Sequence, residues 1–138
     1  MIWPFRRKSK KRIARIVIDE PITSSTRVSV LKALKQIEDR EFPALIVRID
    51  SPGGTVGDSQ EIYSAIKRLK DKGCKVIASF GNISASGGVY IGVASDKIVA
   101  NPGTITGSIG VIIRGNNLSE LLDKIGIKFE TVKSGVFK

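Results

Sequence analysis

The chain has 138 residues, 23 Lys and Arg against 13 Asp and Glu, one cysteine and no histidine. Lacking an imidazole, it excludes a Ser-His-Asp triad unless another chain donates the base, and one cysteine excludes an internal disulfide or a zinc site, so no metal or organic cofactor is expected. A hydrophobic content of 41% suits a single α/β domain with a modest core.

Trp3 and Phe5 precede a basic run over residues 6–12, which supplies six of the ten net positive charges. The run reads as a solvated, disordered arm or as a peripheral contact with an anionic membrane. No apolar stretch follows that could serve as a secretory signal or span a bilayer, so a cytoplasmic, peripherally membrane-associated protein is expected. The rest of the chain does not interleave aromatic and basic residues, so no nucleic-acid partner is expected. Residues 1–12 are read as the arm and 13–138 as one domain.

Ile13 to Ile18 predicts a first strand. Ser24 or Ser25 can cap a helix bearing Val30, Leu31, Leu34 and Ile37 on one face, with Pro43 marking its end. Ala44 to Ile49 is nearly continuous and apolar, as in strands buried within parallel sheets, and runs into Asp50-Ser51-Pro52-Gly53-Gly54. Asp58 and Glu61 have capping-box spacing ahead of a helix with Ile62, Ile66 and Leu69 in a stripe, ending near Gly73. Cys74 reads as a small buried hydrophobe, in keeping with a reducing compartment. Val76 to Phe80 predicts a third strand, Ser86 to Ala94 a short helix and Lys97 to Ala100 a fourth strand, giving a parallel sheet with crossover helices. The glycines of Thr104 to Ile113 suggest bends and close backbone contacts. A last helix from an Asn116 or Asn117 cap to a Gly126 stop precedes an edge strand over Ile127 to Val132.

Two glycine turns follow consecutive buried strands, Asp50 to Gly54 and Ser84-Ala85-Ser86-Gly87-Gly88. At the carboxyl edge of a parallel sheet both would open onto one crevice. A serine at a strand-to-helix junction can present its hydroxyl beside unpaired backbone N–H groups. Gly53 and Gly54 let the backbone approach an extended substrate, and the Gly87 N–H can supply an oxyanion donor. With no histidine, lysine is the strong candidate for the base. The Gly53 to Gly57 segment lacks the spacing of a dinucleotide fingerprint or a P-loop.

These two turns, with Asn101-Pro102-Gly103-Thr104-Ile105-Thr106-Gly107-Ser108-Ile109-Gly110-Val111 and Lys133-Ser134-Gly135-Val136-Phe137-Lys138, resemble in motif and order the signal peptide peptidase A (protease IV) family. The resemblance implies a Clp protease/crotonase-like fold with ββα-type repeats. It also implies a serine endopeptidase acting through an acyl-enzyme, with Ser86 as nucleophile and Lys138 as general base. Gly54 and Gly87 become the implied oxyanion donors, and Ser108 a candidate for orienting the lysine. Implied substrates are signal-peptide remnants and other membrane-associated peptides, and the implied assembly is a homo-oligomer. Family members continue past the Lys138 position, so the chain reads as C-terminally truncated. A crotonase-like acyl-CoA enzyme and an inactive scaffold are the alternative readings.

Overall fold

The computed structural model describes residues 12–113, 115–128, 130, 132, 134 and 135. Strands β1 (Ala14–Ile18), β2 (Ala44–Ser51) and β3 (Lys75–Ala85) are each followed by a helix, α1 (Ser24–Asp39), α2 (Val56–Asp71) and α3 (Gly87–Gly92). Short strands β4 (Lys97–Val99) and β5 (Ile105–Gly107) and helix α4 (Ser119–Lys124) complete the elements. The strands are parallel in the order β1-β2-β3-β4, and β5 pairs with the distal half of β3. Sequential parallel strands joined by crossovers of one hand place the connecting helices on one face, and α1 does pack against α2. The expected mainly parallel α/β sheet is therefore present.

Alternation along the strands defines the covered face. Ala14, Ile16 and Ile18 of β1 are buried while Arg15 and Val17 are exposed, and Leu45, Val47 and Ile49 of β2 point inward with Val76 and Ala78 of β3. Against this layer α1 lays Val30, Leu34 and Ile37, and α2 lays Ile62, Ala65, Ile66 and Leu69. Cys74 is buried as expected, and burial pushes its thiol pKa up. The opposite face leaves Val17, Ile77 and Val99 exposed.

Several boundaries differ from the sequence expectation for local reasons. The caps fall on Thr23 and Thr55, the last extended residues before α1 and α2, in place of Ser24, Ser25 or Asp58. Asp58 falls at the third helical position and accepts the Thr55 hydroxyl, but the reciprocal side chain–backbone bonds of a capping box are absent, since the Thr55 N–H is taken by Ile22 O. Helix α1 stops at Asp39, four residues ahead of Pro43. Glu41, at φ 52°, makes the left-handed turn, and the Phe42 N–H donates to Ile37 O at 3.2 Å. Gly73, at φ 92°, closes α2 as expected.

Strand β3 runs five residues past Phe80 because its second half finds β5 as a partner. Helix α3 spans Gly87–Gly92, shorter than 86–94, since Ser86 adopts a non-helical conformation, and β4 ends one residue before Ala100. Gly107 provides a bend at φ 95° and a close backbone contact, its carbonyl accepting the Ser86 N–H at 2.8 Å, while a Cβ at Gly103, Gly107 or Gly110 would meet open space among the described residues. Helix α4 begins at Ser119, with Leu118 at its N-cap and the Asn117 side chain accepting the Ser119 N–H at 3.1 Å, and Gly126 ends it at φ 75°. In the stretch expected as an edge strand, the described residues Ile127, Lys128, Glu130 and Val132 are not in a strand. Trp3, Phe5 and the basic run up to Lys11 lie outside the described residues. No described helix is long and apolar enough to cross a membrane.

Asp96 ties the start of β4 to β3: its carboxylate accepts the Val76 N–H at 2.8 Å, and that bond, with nearby Lys70, holds its pKa below the usual carboxylate range. Asp50 and Glu38 are lowered as well, by backbone amides and by Lys72 respectively. A carboxyl whose folded pKa is depressed stabilises the fold above its unfolded pKa, and that contribution is lost as pH falls through the folded value. Thermal melts of the protein are thus expected to be flat between about pH 5 and pH 8 and to decline below about pH 4. Asp96→Asn should make that decline shallower, and an unchanged slope would remove Asp96 from the account.

Candidate active site

Both glycine turns lie at the carboxyl ends of β2 and β3, and they touch. A Cβ on Gly53 would sit 2.7 Å from Gly87 N, 2.9 Å from Ala85 O and 2.9 Å from Ser86 Cβ. Gly53 has φ 97°, in the left-handed region glycine favours, so both its conformation and its surroundings demand the missing side chain. Its N–H donates to the buried Ser51 hydroxyl at 3.2 Å, which leaves Gly53 as a spacer rather than a free donor.

Gly54 is placed by Ile22, a fully buried residue in the β1–α1 connection. The Ile22 N–H donates to Gly53 O at 2.9 Å and Ile22 O accepts the Thr55 N–H at 3.0 Å, an isolated parallel bridge. A Cβ on Gly54 would fall 1.9 Å from Ile22 O, so only glycine permits this approach. Because Ile22 engages the residues on either side, the Gly54 N–H points away from it and has no partner among the described residues. Gly54 N lies 3.4 Å from where a Gly87 Cβ would stand, and the Gly87 N–H opens α3 with no partner among those residues either. Two unengaged backbone donors therefore lie side by side.

Ser86 stands between them and β5. Its φ of 50° and ψ of −117° are strained for a residue with a Cβ, a conformation that costs about 1–3 kcal/mol and persists only where neighbours enforce it. Here the Ser86 N–H donates to Gly107 O at 2.8 Å, and its carbonyl accepts the Tyr90 N–H at 3.0 Å as α3 begins. Ser86 is half-buried, at the crevice and not inside the core. Ser108 follows Gly107 directly, is exposed, and also has a positive φ, 51°. Lys138 and Lys133 lie outside the described residues. The site thus unites Ser86, Gly53, Gly54 and Gly87, with Ser108 one residue beyond the Gly107 carbonyl that holds Ser86.

Four supporting residues escaped the sequence reading. Ile22 positions Gly54. Ser59, buried on α2, donates to Thr55 O at 2.8 Å and lies beneath Gly87, 2.4 Å from where a Cβ would stand. Thr104 and Thr106 each give a hydroxyl hydrogen bond to β3, to Gly81 O at 2.8 Å and Ser84 O at 2.9 Å, fastening the strand that carries Ser86. Thr104 and Thr106 stood in the Asn101 to Val111 motif without a role, their two-residue spacing placing them on one face of a strand.

A strained serine at a strand-to-helix turn, flanked by two main-chain amides without partners among the described residues, is the layout that a serine hydrolase requires. The chain belongs to peptidase family S49, whose model matches residues 68–138. Over its whole length it is 62% identical to slr0021 of Synechocystis, described as a candidate protease, and it covers half of that protein. A candidate signal peptide peptidase SppA of Enterococcus faecium is 44% identical over 109 residues, 78% of this chain and 32% of the relative. Among solved structures, a lysine-to-alanine variant of 1510-N, a membrane-bound stomatin-specific protease in complex with a substrate peptide, superimposes with a TM-score of 0.62. That match is 29% identical and covers 73% of this chain and 45% of the other. The fold is also similar to that of ClpP1. The chain spans half or less of the curated relatives named here.

The crowding at Gly87 yields a test. Gly87→Ala should destabilise the fold by about 1–3 kcal/mol through overpacking against the Ser59 hydroxyl. Ser59→Ala in the same chain should recover a large part of that loss in denaturant unfolding. If the two substitutions were strictly additive, the described contact would not be the cause.

Proposed function

We propose that the complete protein is a serine endopeptidase in which Ser86 is the nucleophile and Lys138 the general base. The observation that carries this reading is the strained Ser86 backbone beside the unengaged amides of Gly54 and Gly87. The neutral Lys138 amine takes the hydroxyl proton as Ser86 Oγ attacks the scissile carbonyl, and the same proton then passes to the leaving amine. The acyl group stays on Ser86 until a water, deprotonated by the lysine, releases it. Through both tetrahedral intermediates the negative oxygen faces the Gly54 and Gly87 N–H groups, each such donor contributing about 3 kcal/mol. Ser108 orients the lysine from the loop after β5. For Lys138 to act near neutral pH its ammonium form must be disfavoured, which an apolar, subunit-lined pocket achieves.

The substrates in this reading are membrane-associated peptides, signal-peptide remnants among them. The membrane-bound peptidase among the solved relatives and the SppA name of another support it. Trp3, Phe5 and the run 6–12 supply peripheral contact with anionic lipid. Ile109, Ile112, Ile113, Leu121 and Ile125 are exposed, and in this reading they are covered by the rest of the full-length protein or by a second subunit of a homo-oligomer.

In the full-length protein, Ser86→Ala and Lys138→Ala should each lower cleavage of a signal-peptide-derived substrate by at least about 1,000-fold without changing the melting temperature. Retained cleavage in Ser86→Ala would refute the nucleophile assignment. Retained cleavage in Lys138→Ala alone would refute only the base.

A further inference from the structure

The β2–β3 ladder breaks immediately before the nucleophile. Ile49 faces Phe80 and Ser51 faces Ser84, so Gly81, Asn82 and Ile83 stand opposite Asp50 alone. Two extra residues in one strand of a parallel pair leave main-chain groups without ladder partners. Side chains take over several of them. Arg48 Nη1 donates to Phe80 O at 2.8 Å, Thr104 Oγ1 to Gly81 O at 2.8 Å, and the Ile83 N–H donates to Asp50 Oδ1 at 3.0 Å. The Asn82 amide also favours the ionised carboxyl, and the two amides together lower the Asp50 pKa. The Asp50 side chain lies so flat on the bulge that a Cβ on Gly81 would be 2.4 Å from its Cγ.

We propose that Asp50 is a positioning residue for the nucleophile, its carboxylate fixing the Gly81–Ile83 bulge so that β3 re-enters register at Ser84 and delivers Ser86 and Gly87 beside Gly54. Asp50 touches no reacting atom. It acts through three residues of strand, from Ile83, whose N–H it holds, to Ser86. Beyond the bulge β3 is held by its renewed pairing with β2 at Ser51 and Ser84, by the Thr106 bond to Ser84 O and by the Gly107 bond to Ser86 N, so Asp50 is the β2-side tie within the bulge itself. An acceptor is what the bulge requires, and a full charge is secondary.

The inference rests on Ser86 being the nucleophile, and its test separates the two. In the full-length protein, the rate of Ser86 phosphonylation by a fluorophosphonate, which bonds phosphorus to Oγ and releases fluoride, is followed by peptide mass spectrometry for the wild type, Asp50→Ala and Asp50→Asn. Misplacement by about 1 Å can cost about 100-fold, so Asp50→Ala should react roughly 30- to 100-fold more slowly. Asp50→Asn keeps an accepting oxygen and should stay within about threefold of the wild type. Hydrogen exchange is read in the same proteins, independently of chemistry. In Asp50→Ala, amides 82–85 should exchange at least about tenfold faster while those of Val76 to Ser79 are unchanged. Should Asp50→Ala fail to fold, Gly81→Ala displaces the carboxylate sterically and should reproduce both effects. Wild-type phosphonylation and exchange in Asp50→Ala, or an Asp50→Asn as impaired as Asp50→Ala, would overturn the proposal. A wild type that does not react at Ser86 but shows the exchange change in Asp50→Ala would sink the peptidase reading and leave the role of Asp50 in shaping the bulge intact.

Discussion

The arrangement depends on one close approach, that of the Gly53–Gly54 backbone to the Ser86–Gly87 backbone. At 2.7 Å from the Cβ that Gly53 lacks, Gly87 N leaves no room for any side chain between the turns. Everything that positions the candidate site serves this contact. The sheet aligns β2 and β3, Ile22 pulls Gly54 from one side, and Gly107 holds Ser86 from the other. Gly54 is exposed and Gly87 half-buried, so their amides, without partners among the described residues, lie at the accessible rim of the junction.

The strain at Ser86 follows from the same geometry. Strand β3 must end with its last residues in register with β5, while α3 must start at once so that Gly87 opens it. Thr23 and Thr55 enter their helices from ordinary extended conformations, whereas Ser86 is held at positive φ with its N–H on Gly107 O and its carbonyl on the Tyr90 N–H. The core supplies the means: Ile22, Ile49, Ile62, Ile66 and Ile91 are fully buried around the base of the turns, and their burial offsets a local cost of a few kcal/mol.

Much of this was legible in the sequence because it is written in patterns of period and punctuation. The alternating or continuous apolar runs of β1 and β2, the stripe Ile62, Ile66, Leu69, and the glycine pairs at 53–54 and 87–88 located the strands, one helix face and both turns. Capping was misread at Thr23 and Thr55 because the last extended residue is fixed by a bridge to Ile22 or by the chain's exit from the sheet, neither of which is local. The extension of β3 to Ala85 was hidden for a similar reason. Gly81-Asn82-Ile83 reads as a loop in isolation, and only the side chains of Arg48, Asp50 and Thr104, from distant parts of the chain, let it remain in a sheet. The roles of Ile22 and Ser59 had no sequence signal, since each acts by lying against a glycine that is far away along the chain.

The central claim, a serine hydroxyl acylated under two main-chain donors, is tested most directly by a crystal structure of the full-length protein after phosphonylation. The account predicts the phosphorus on Ser86 Oγ, with one phosphoryl oxygen about 2.7–3.1 Å from both the Gly54 and Gly87 nitrogens. An adduct on another residue, or a phosphoryl oxygen directed into solvent away from those amides, would contradict it.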